Sequence, residues 1–486
     1  MLTTTPKIPS IRKATLINLA GLVLPVLTGL ITVPLYLRWI GDTRYGVLLL
    51  AFTFLGYFGA FDFGLGRSVA KNLAAENSVH HGNRVFWTAL MWSGIFGTIG
   101  AIILYAIGII SFPYVSDLSG RLQTEAINGM PWLAATVPIM ALTSVTAGTL
   151  ESRHAFLSLN IGLATGAIAL QTLPLLMILM GYGTINNLIE AALSGRFLGF
   201  IVMFVATIKY LPLTKICHLN LGETKNLMKF GGWISLSGMV LPILNMADRL
   251  IIGWLMGAAM VTSYVVPYNL IIKLTYLPQA LSTTLFPRFA TQNSEERRTS
   301  LHKGIINIFR YQSPFVSMAI ILSYPFLDLW VNPGFSRHAA PLLIIFSVII
   351  FFINPSYIPY IMLQASGKPH LAAKFQLIEL LPFIILVYYL IKQLGVTGAA
   401  LAWALRSLSE SLYLTHNTNS TRTYIKQLLK NSPALLLSLG ASWFFLRSDE
   451  ILYMLSSIAV VSLSFFPLVK GQSYFRDTTK NAGHEP

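Results

Sequence analysis

One cysteine, Cys217, is all that 486 residues contain, so no intrachain disulfide can form and no paired Cys-x-x-Cys can hold zinc. Charge is almost as scarce. Acidic and basic residues together make up 11% of the chain, against about 25% in a soluble domain. No G-x-x-x-x-G-K-[ST] phosphate loop is present, which excludes ATP hydrolysis by the chain itself, and H-E-x-x-H and the nucleophile elbow are missing too. His80 and His81 read as solvated loop neighbours rather than metal ligands. His218 follows Cys217, but no third group orients the imidazole, so the thiol is read as inert. Low-complexity linkers and connectors long enough for a soluble domain are absent as well. These gaps argue against an enzyme and leave no cofactor or metal to expect.

What the chain has instead is apolar length. About fourteen stretches approach the roughly 20 residues a helix needs to cross hydrocarbon. They are Ala14–Leu37, Gly46–Gly66, Val85–Phe112, Gly129–Leu150, Leu157–Met180, Ile185–Ile208 and Leu227–Leu255, then Met260–Pro287, Ile305–Val331, Ala340–Gln364, Leu371–Leu390, Val396–Leu414, Pro433–Leu446 and Ile451–Val469. The expected fold is therefore an all-α, polytopic membrane protein. With the N-terminus in the cytoplasm, about 24 of the Lys and Arg residues fall in inner connectors, about 6 outside and about 4 within the membrane, a positive-inside pattern. The net charge of +16 thus reflects topology, and no nucleic-acid partner is implied. Trp39, Trp132, Trp254 and Trp330 fall at outer segment ends, where amphipathic rings favour the headgroup layer. The first apolar run is too long for a cleavable signal and lacks a small-residue cleavage site. Both termini are expected in the cytoplasm.

Two halves echo each other. Leu22-Val23-Leu24-Pro25-Val26-Leu27 in the first segment matches Met239-Val240-Leu241-Pro242-Ile243-Leu244 in the seventh, and each runs on to a Trp and a Gly at its outer end. Six helices per half makes such a repeat parallel, about an axis along the membrane normal. The expected organisation is an N-lobe over residues 14–208, a cytoplasmic connector over 209–226, a C-lobe over 227–415 and a C-terminal helix pair over 431–470. Prolines gather in the first, seventh and eighth segments. Pro25, Pro34, Pro242 and Pro267 are candidate hinges, because each removes a backbone hydrogen bond and bends its helix.

Ionisable groups at membrane depth cost several kcal/mol unless paired or wetted, so they are default functional candidates. Arg196 and Lys273 lie near the midplane of their segments, and Asp248-Arg249 lies inside the seventh. Asp248 and Arg249 point about 100° apart, which leaves Lys273 as a partner for Asp248 and Arg249 as a cation for phosphate oxygens. The competing reading is that the three residues only lock the hairpin. Arg406 and Glu410, spaced i, i+4, read as a neutralising structural pair. Asp62, in Asp62-Phe63-Gly64-Leu65-Gly66-Arg67, is either a solvated helix end or a gate. Glu190 and Glu379 are embedded carboxylates, candidates for coupling or gating, without a decisive partner in sequence.

Asn18 to Ala74, with Pro34, Ile40-Gly41, Tyr45-Gly46 and Asp62-Phe63-Gly64-Leu65-Gly66, resembles the opening of Wzx-type polysaccharide flippases. The second half is similar to the same family through Gly231-Gly232-Trp233, Pro242, Asp248-Arg249, Val266-Pro267-Tyr268, Lys273 and Leu285-Phe286-Pro287-Arg288. This family belongs to the multidrug/oligosaccharidyl-lipid/polysaccharide exporter superfamily. The resemblance implies two lobes around a cavity that opens alternately to either side of a bacterial cytoplasmic membrane. It implies a substrate, undecaprenyl-diphosphate-linked oligosaccharide, moved for O-antigen, capsule or exopolysaccharide assembly, with Arg249 and Lys273 among the cations. Membrane lipid is a partner, a polymerase and a chain-length regulator are candidate partners, and proton or sodium coupling is a candidate drive. Two alternatives stand beside it: a cation-coupled drug antiporter of the same superfamily, and a membrane-embedded polysaccharide polymerase or ligase. The antiporter would favour embedded carboxylates, and the polymerase a sizeable outer loop.

Overall fold

The computed structural model describes residues 11–58, 64–75, 79–115, 118, 120–211, 224, 244, 246–446, 453–460 and 464. Every regular element among them is helical, as the apolar periodicity requires. Seven helices are long and apolar enough to cross a membrane, and an eighth follows if a pair bent by 61° at Leu322 is one span. These are numbers for the described residues and are compatible with the fourteen spans expected. The chain divides into two compact units, Met1–Thr262 and Ser263–Pro486.

In the first unit, α1 (Ile11–Phe58) covers two expected spans and breaks between them at Gly41, with φ 74° and ψ 171°. That conformation is open to glycine at no steric cost. The Thr262 hydroxyl donates to the Asp42 carbonyl at 2.8 Å beside the break. α2 (Leu65–Ala75), α3 (Val79–Ser111), α4 (Gly120–Ser152), α5 (Phe156–Leu179) and α6 (Ile185–Tyr210) follow, and α7 is described over residues 246–256. α5 packs on α6, α4 on α3, α6 and α2, and α1 on α5. Leu65, Val69, Leu73, Val85, Phe86 and Val145 form an α2–α3–α4 core.

The α5–α6 contact is built from two small-xxx-small stripes, Gly162/Gly166 on α5 and Gly195/Gly199 on α6. A Cβ at Gly199 would lie 2.7 Å from the Gly166 Cα and 3.0 Å from the Gly162 carbonyl oxygen. Only hydrogen fits there, so the two backbones touch. Such close approach suits helices in lipid, where van der Waals packing replaces the hydrophobic effect as the driving force.

The second unit begins within α8 (Ala258–Ile271), which passes through a 3₁₀ turn, Ile272–Thr275, into α9 (Tyr276–Thr291). α10 (Ser294–Ile321), α11 (Ser323–Trp330) and α12 (Pro333–Ile353) come next. A second 3₁₀ turn, Asn354–Ser356, then leads to α13 (Tyr357–Ala365), α14 (Pro369–Leu394), α15 (Val396–Asn417) and α16 (Thr421–Leu446). A last helix, α17, is described over residues 453–460. The stretch between the expected spans Met260–Pro287 and Ile305–Val331 is helical from Ser294 onward. Asn293 opens α10 with a capping box: its side chain accepts from the Glu296 amide at 2.9 Å, and the Glu296 carboxylate accepts from the Asn293 amide at 3.4 Å. The Asn-x-x-Glu signature of this start is in the sequence. Leu301, Ile305, Phe309, Phe351, Ile358 and Tyr424 form the central apolar cluster.

Prolines explain both 3₁₀ interruptions. Pro278 cannot donate to the Leu274 carbonyl, and Pro355 cannot donate to that of Phe351. Side-chain amides replace the missing donors. Asn354 Nδ2 donates to Leu274 O at 3.3 Å, and Gln312 Nε2 donates to Phe351 O at 2.8 Å.

Candidate functional site

Each membrane-depth charge singled out from sequence has a place in the fold, apart from Asp62 and hinge Pro242, which lie outside the described residues. Arg196 stands eleven residues beyond Ile185 in the 26-residue α6, about 17 Å along it at 1.5 Å per residue, close to mid-helix. One turn either way on its face are Ala192 and Gly199, with Met203 a turn further, all buried. The exposed stripe of α6 runs instead through Leu198, Ile201, Val205 and Ile208. The guanidinium is therefore carried on the inward side of the helix and away from the apolar flank. Its strictly buried Nε has no hydrogen-bond partner, and no ion pair to it occurs among the described residues.

Asp248 is buried and accepts from the Arg249 backbone amide at 2.8 Å, while the Arg249 side chain is half-buried. Lys273 sits in the 3₁₀ turn between α8 and α9, a position the sequence presented as the middle of one continuous helix. Its ammonium lies over the Tyr276 ring, 5.6 Å from the centroid. Non-helical backbone at membrane depth is tolerated where it is buried in protein or lines a wet cavity, so a cation in such a turn is a strong candidate for ligand contact. Arg249 falls in the first unit and Lys273 in the second.

Glu190 is half-buried in the opening turns of α6, five residues beyond Ile185, and makes no ion pair among the described residues. Glu379 does find a partner. Arg406 Nη1 donates to Glu379 Oε1 at 3.1 Å and lies 3.8 Å from Glu410 Oε2. The pairing read from the i, i+4 spacing is thus the longer of two contacts, because α14 brings a carboxylate closer than the helical register does. Gln376 Nε2 completes the group, donating to Glu410 Oε1 at 2.8 Å.

Of the candidate hinges, Pro25 and Pro34 lie within α1 and Pro267 within α8. Gln171 of α5 braces α1 around Pro25. Its amide donates to the Pro25 carbonyl at 3.3 Å, and it accepts from the Thr32 hydroxyl at 3.4 Å and, through its backbone carbonyl, from Tyr36 at 2.8 Å.

Sequence reasoning missed one charged cluster entirely. Glu125, in the first turns of α4, receives Arg44 at 3.4 Å and Arg121 at 3.2 Å, and also accepts from the Ile185 backbone amide at 3.1 Å. Arg44 donates in addition to the Gly183 carbonyl at 2.7 Å. The signal was available: Arg44 and Arg121 both fall in short connectors between expected spans, and a third, at Gly183, converges with them on one carboxylate.

Long apolar helices, two of them interrupted, that carry charges in mid-helix define a multi-pass membrane protein, and solved structures agree on the fold. An inward-facing multidrug resistance MATE family transporter of the MOP superfamily matches with a TM-score of 0.69 at 16% identity, over 86% of this chain and 98% of its own. The lipid II flippase MurJ in an inward closed conformation matches with a TM-score of 0.71 at 16% identity, over 94% and 100%. A protein of Shigella flexneri named "Putative O-antigen transporter" is 26% identical over 409 residues, 83% of this chain and 97% of its own. The family described as polysaccharide biosynthesis protein matches residues 37–332, and the chain belongs to it. It is a multi-pass membrane protein with a transporter fold, and its relatives are transporters, not enzymes.

Proposed function

We propose that the chain carries a polyprenyl-diphosphate-linked oligosaccharide, undecaprenyl in bacteria, from the cytoplasmic to the outer leaflet of the cytoplasmic membrane. The product would feed assembly of O-antigen, capsule or exopolysaccharide. A diphosphate with sugars cannot cross hydrocarbon alone, because its polar groups would be left unpaired there. Fixed cations compensate its charge, and guanidinium groups grip phosphate oxygens in pairs. The observation that carries the reading is Arg196: a cation at mid-helix, turned inward, with a buried nitrogen that has no hydrogen-bond acceptor. Such a group is tolerable beside a wet chamber that accepts anions. Arg249 and Lys273 extend the cationic set, with Lys273 placed on an interrupted helix. Asp248, Asp62 and Glu190 are assigned to gating or coupling, and Pro25, Pro34, Pro242 and Pro267 to hinges for alternating access.

The test combines charge removal with a quantitative surface readout. Arg196→Ala, Arg249→Ala and Lys273→Ala each lower surface polysaccharide at equal membrane abundance, and Arg249→Lys retains part of it. Undiminished polysaccharide in the triple alanine variant overturns the assignment. Export of a cationic dye that survives the same triple variant identifies a drug antiporter instead.

A further inference from the structure

We infer that Glu379, Arg406 and Glu410 form a proton-binding site inside the second unit, in which two carboxylates held on one guanidinium share a single exchangeable proton. The geometry sets up the imbalance. Arg406 contacts Glu379 at 3.1 Å and Glu410 at 3.8 Å, with the Arg406 and Glu379 side chains 7% and 8% exposed. One positive charge faces two negative ones, so the fully ionised cluster carries a surplus of one negative charge.

Depth makes that surplus expensive. Glu379 is ten residues beyond Pro369 in α14, and Arg406 is ten beyond Val396 in α15, each about 15 Å along its helix. Glu379 Oε1 is occupied by Arg406, but Oε2 is strictly buried and has no hydrogen-bond partner. An anionic oxygen without a donor is the least stabilised position in the cluster. A proton arriving there forms an O–H bond and cancels the surplus, and its departure restores it.

Among the described residues, the charged or titratable groups that α12 and α16 bring against α15 are Arg337, His338, Arg422, Lys426 and Lys430, all exposed, and Tyr424, whose hydroxyl donates to the Phe352 carbonyl. Of the helices packed on α14, α13 carries no acidic or basic side chain, only Tyr357 and Tyr360 as titratable groups. α15 adds Tyr413, which stacks on Phe375, and His416, which is exposed. On α14 itself, His370 and Lys374 are exposed and Lys392 lies over Tyr388. The remaining near group, Gln376, donates to Glu410 and does not ionise. The Phe383 ring, 5.2 Å from the Arg406 guanidinium carbon, closes the apolar side and holds the cation in the cluster. A resident guanidinium thus takes the place a free metal cation would need, which leaves a proton as the exchangeable charge.

The inference rests on the transport reading and deepens it by naming a coupling ion, but the readout of the site itself needs no transported substrate. Full-length protein in lipid nanodiscs is titrated while the carboxylic C=O stretch is followed by infrared difference spectroscopy. Wild type shows a protonated-carboxyl band that disappears as pH rises. Glu379→Gln and Glu410→Gln each abolish it, because each leaves one carboxylate matched to one guanidinium. Arg406→Gln roughly doubles it. The glutamine variants are near-isosteric, and equal elution as monodisperse protein establishes that they fold. A band that survives undiminished in both glutamine variants, or no titrating band in wild type, overturns the site. Loss of the band with no effect of pH on substrate flipping overturns only its role in coupling. Failure to flip a polyprenyl diphosphate oligosaccharide sinks the transport reading and leaves the proton site standing.

Discussion

Adding one methyl group at Gly199 separates packing from helix propensity. In an ordinary helix, Gly→Ala stabilises by roughly 0.5–1 kcal/mol, because alanine has less backbone freedom to lose. At Gly199 the new Cβ would lie 2.7 Å from the Gly166 Cα, 3.0 Å from the Gly166 nitrogen and 3.0 Å from the Gly162 carbonyl oxygen. All three are backbone atoms, so no side chain can swing aside. Carbon atoms in optimal contact sit about 3.5–4.0 Å apart, so α5 and α6 must part by about 1 Å. A gap of that size forfeits a quarter to a half of the dispersion energy of the atoms facing it. Overpacking of this kind costs about 1–3 kcal/mol. Gly94 of α3 provides the control, since a Cβ there meets nothing within 4 Å. Thermal unfolding of the purified protein should place Gly199→Ala several degrees below wild type, and Gly94→Ala at or above it. Equal midpoints for the two variants would refute direct backbone contact between α5 and α6.

Two further perturbations test the polar supports. Glu125→Ala removes the acceptor shared by Arg44, Arg121 and the Ile185 amide, and leaving that buried amide unpaired costs about 1–3 kcal/mol. Limited proteolysis should cut the Gly183 turn faster in this variant, and unchanged cleavage contradicts a structural tie. Gln312→Leu keeps side-chain volume but strips the donor from the Phe351 carbonyl, which Pro355 has already deprived of its helical partner. The expected loss is again about 1–3 kcal/mol, read as a lower unfolding midpoint, and a midpoint equal to wild type contradicts amide capping.

Much of the architecture was legible because lipid imposes it. Span length and the Asn-x-x-Glu start of α10 are local signals, and each corresponds to an observed helix or helix end. Interruption was harder to read. Pro278 and Pro355 announce lost hydrogen bonds, but whether the helix kinks, ends or passes through a 3₁₀ turn depends on who supplies the missing donor. That donor comes from eighty residues away for Asn354 and thirty-nine for Gln312, beyond the reach of periodicity. The Arg406 pairing shows the same boundary. Spacing selected Glu410 on the same helix, whereas the nearer carboxylate, Glu379, lies on α14 and is brought in by tertiary packing. Arg196 was legible by depth, and its missing acceptor was not, because absence of a partner is a property of the whole bundle. The glycine stripes of α5 and α6 lay in plain view at four-residue spacing, but glycine is frequent in membrane helices and only the facing register gives the stripes meaning.

The two capped interruptions bear on motion within the second unit. A proline kink with an unsatisfied carbonyl would be a fixed cost in every state, and lipid offers no water to relieve it. A carbonyl capped by a side-chain amide differs, because the amide is held by rotatable bonds and can follow its acceptor. Asn354 belongs to one 3₁₀ turn and caps a carbonyl in the other, so a change in the bend at Lys273 is felt directly at the α12–α13 junction. Gln312 then ties that junction to α10, whose Phe309 packs edge-on against Phe351 at 5.4 Å. Bending at the α8–α9 turn therefore cannot be local. It must carry the α12–α13 break with it or give up a hydrogen bond of about 0.5–1.5 kcal/mol net value. That is small enough to exchange during transport and large enough to favour concerted movement.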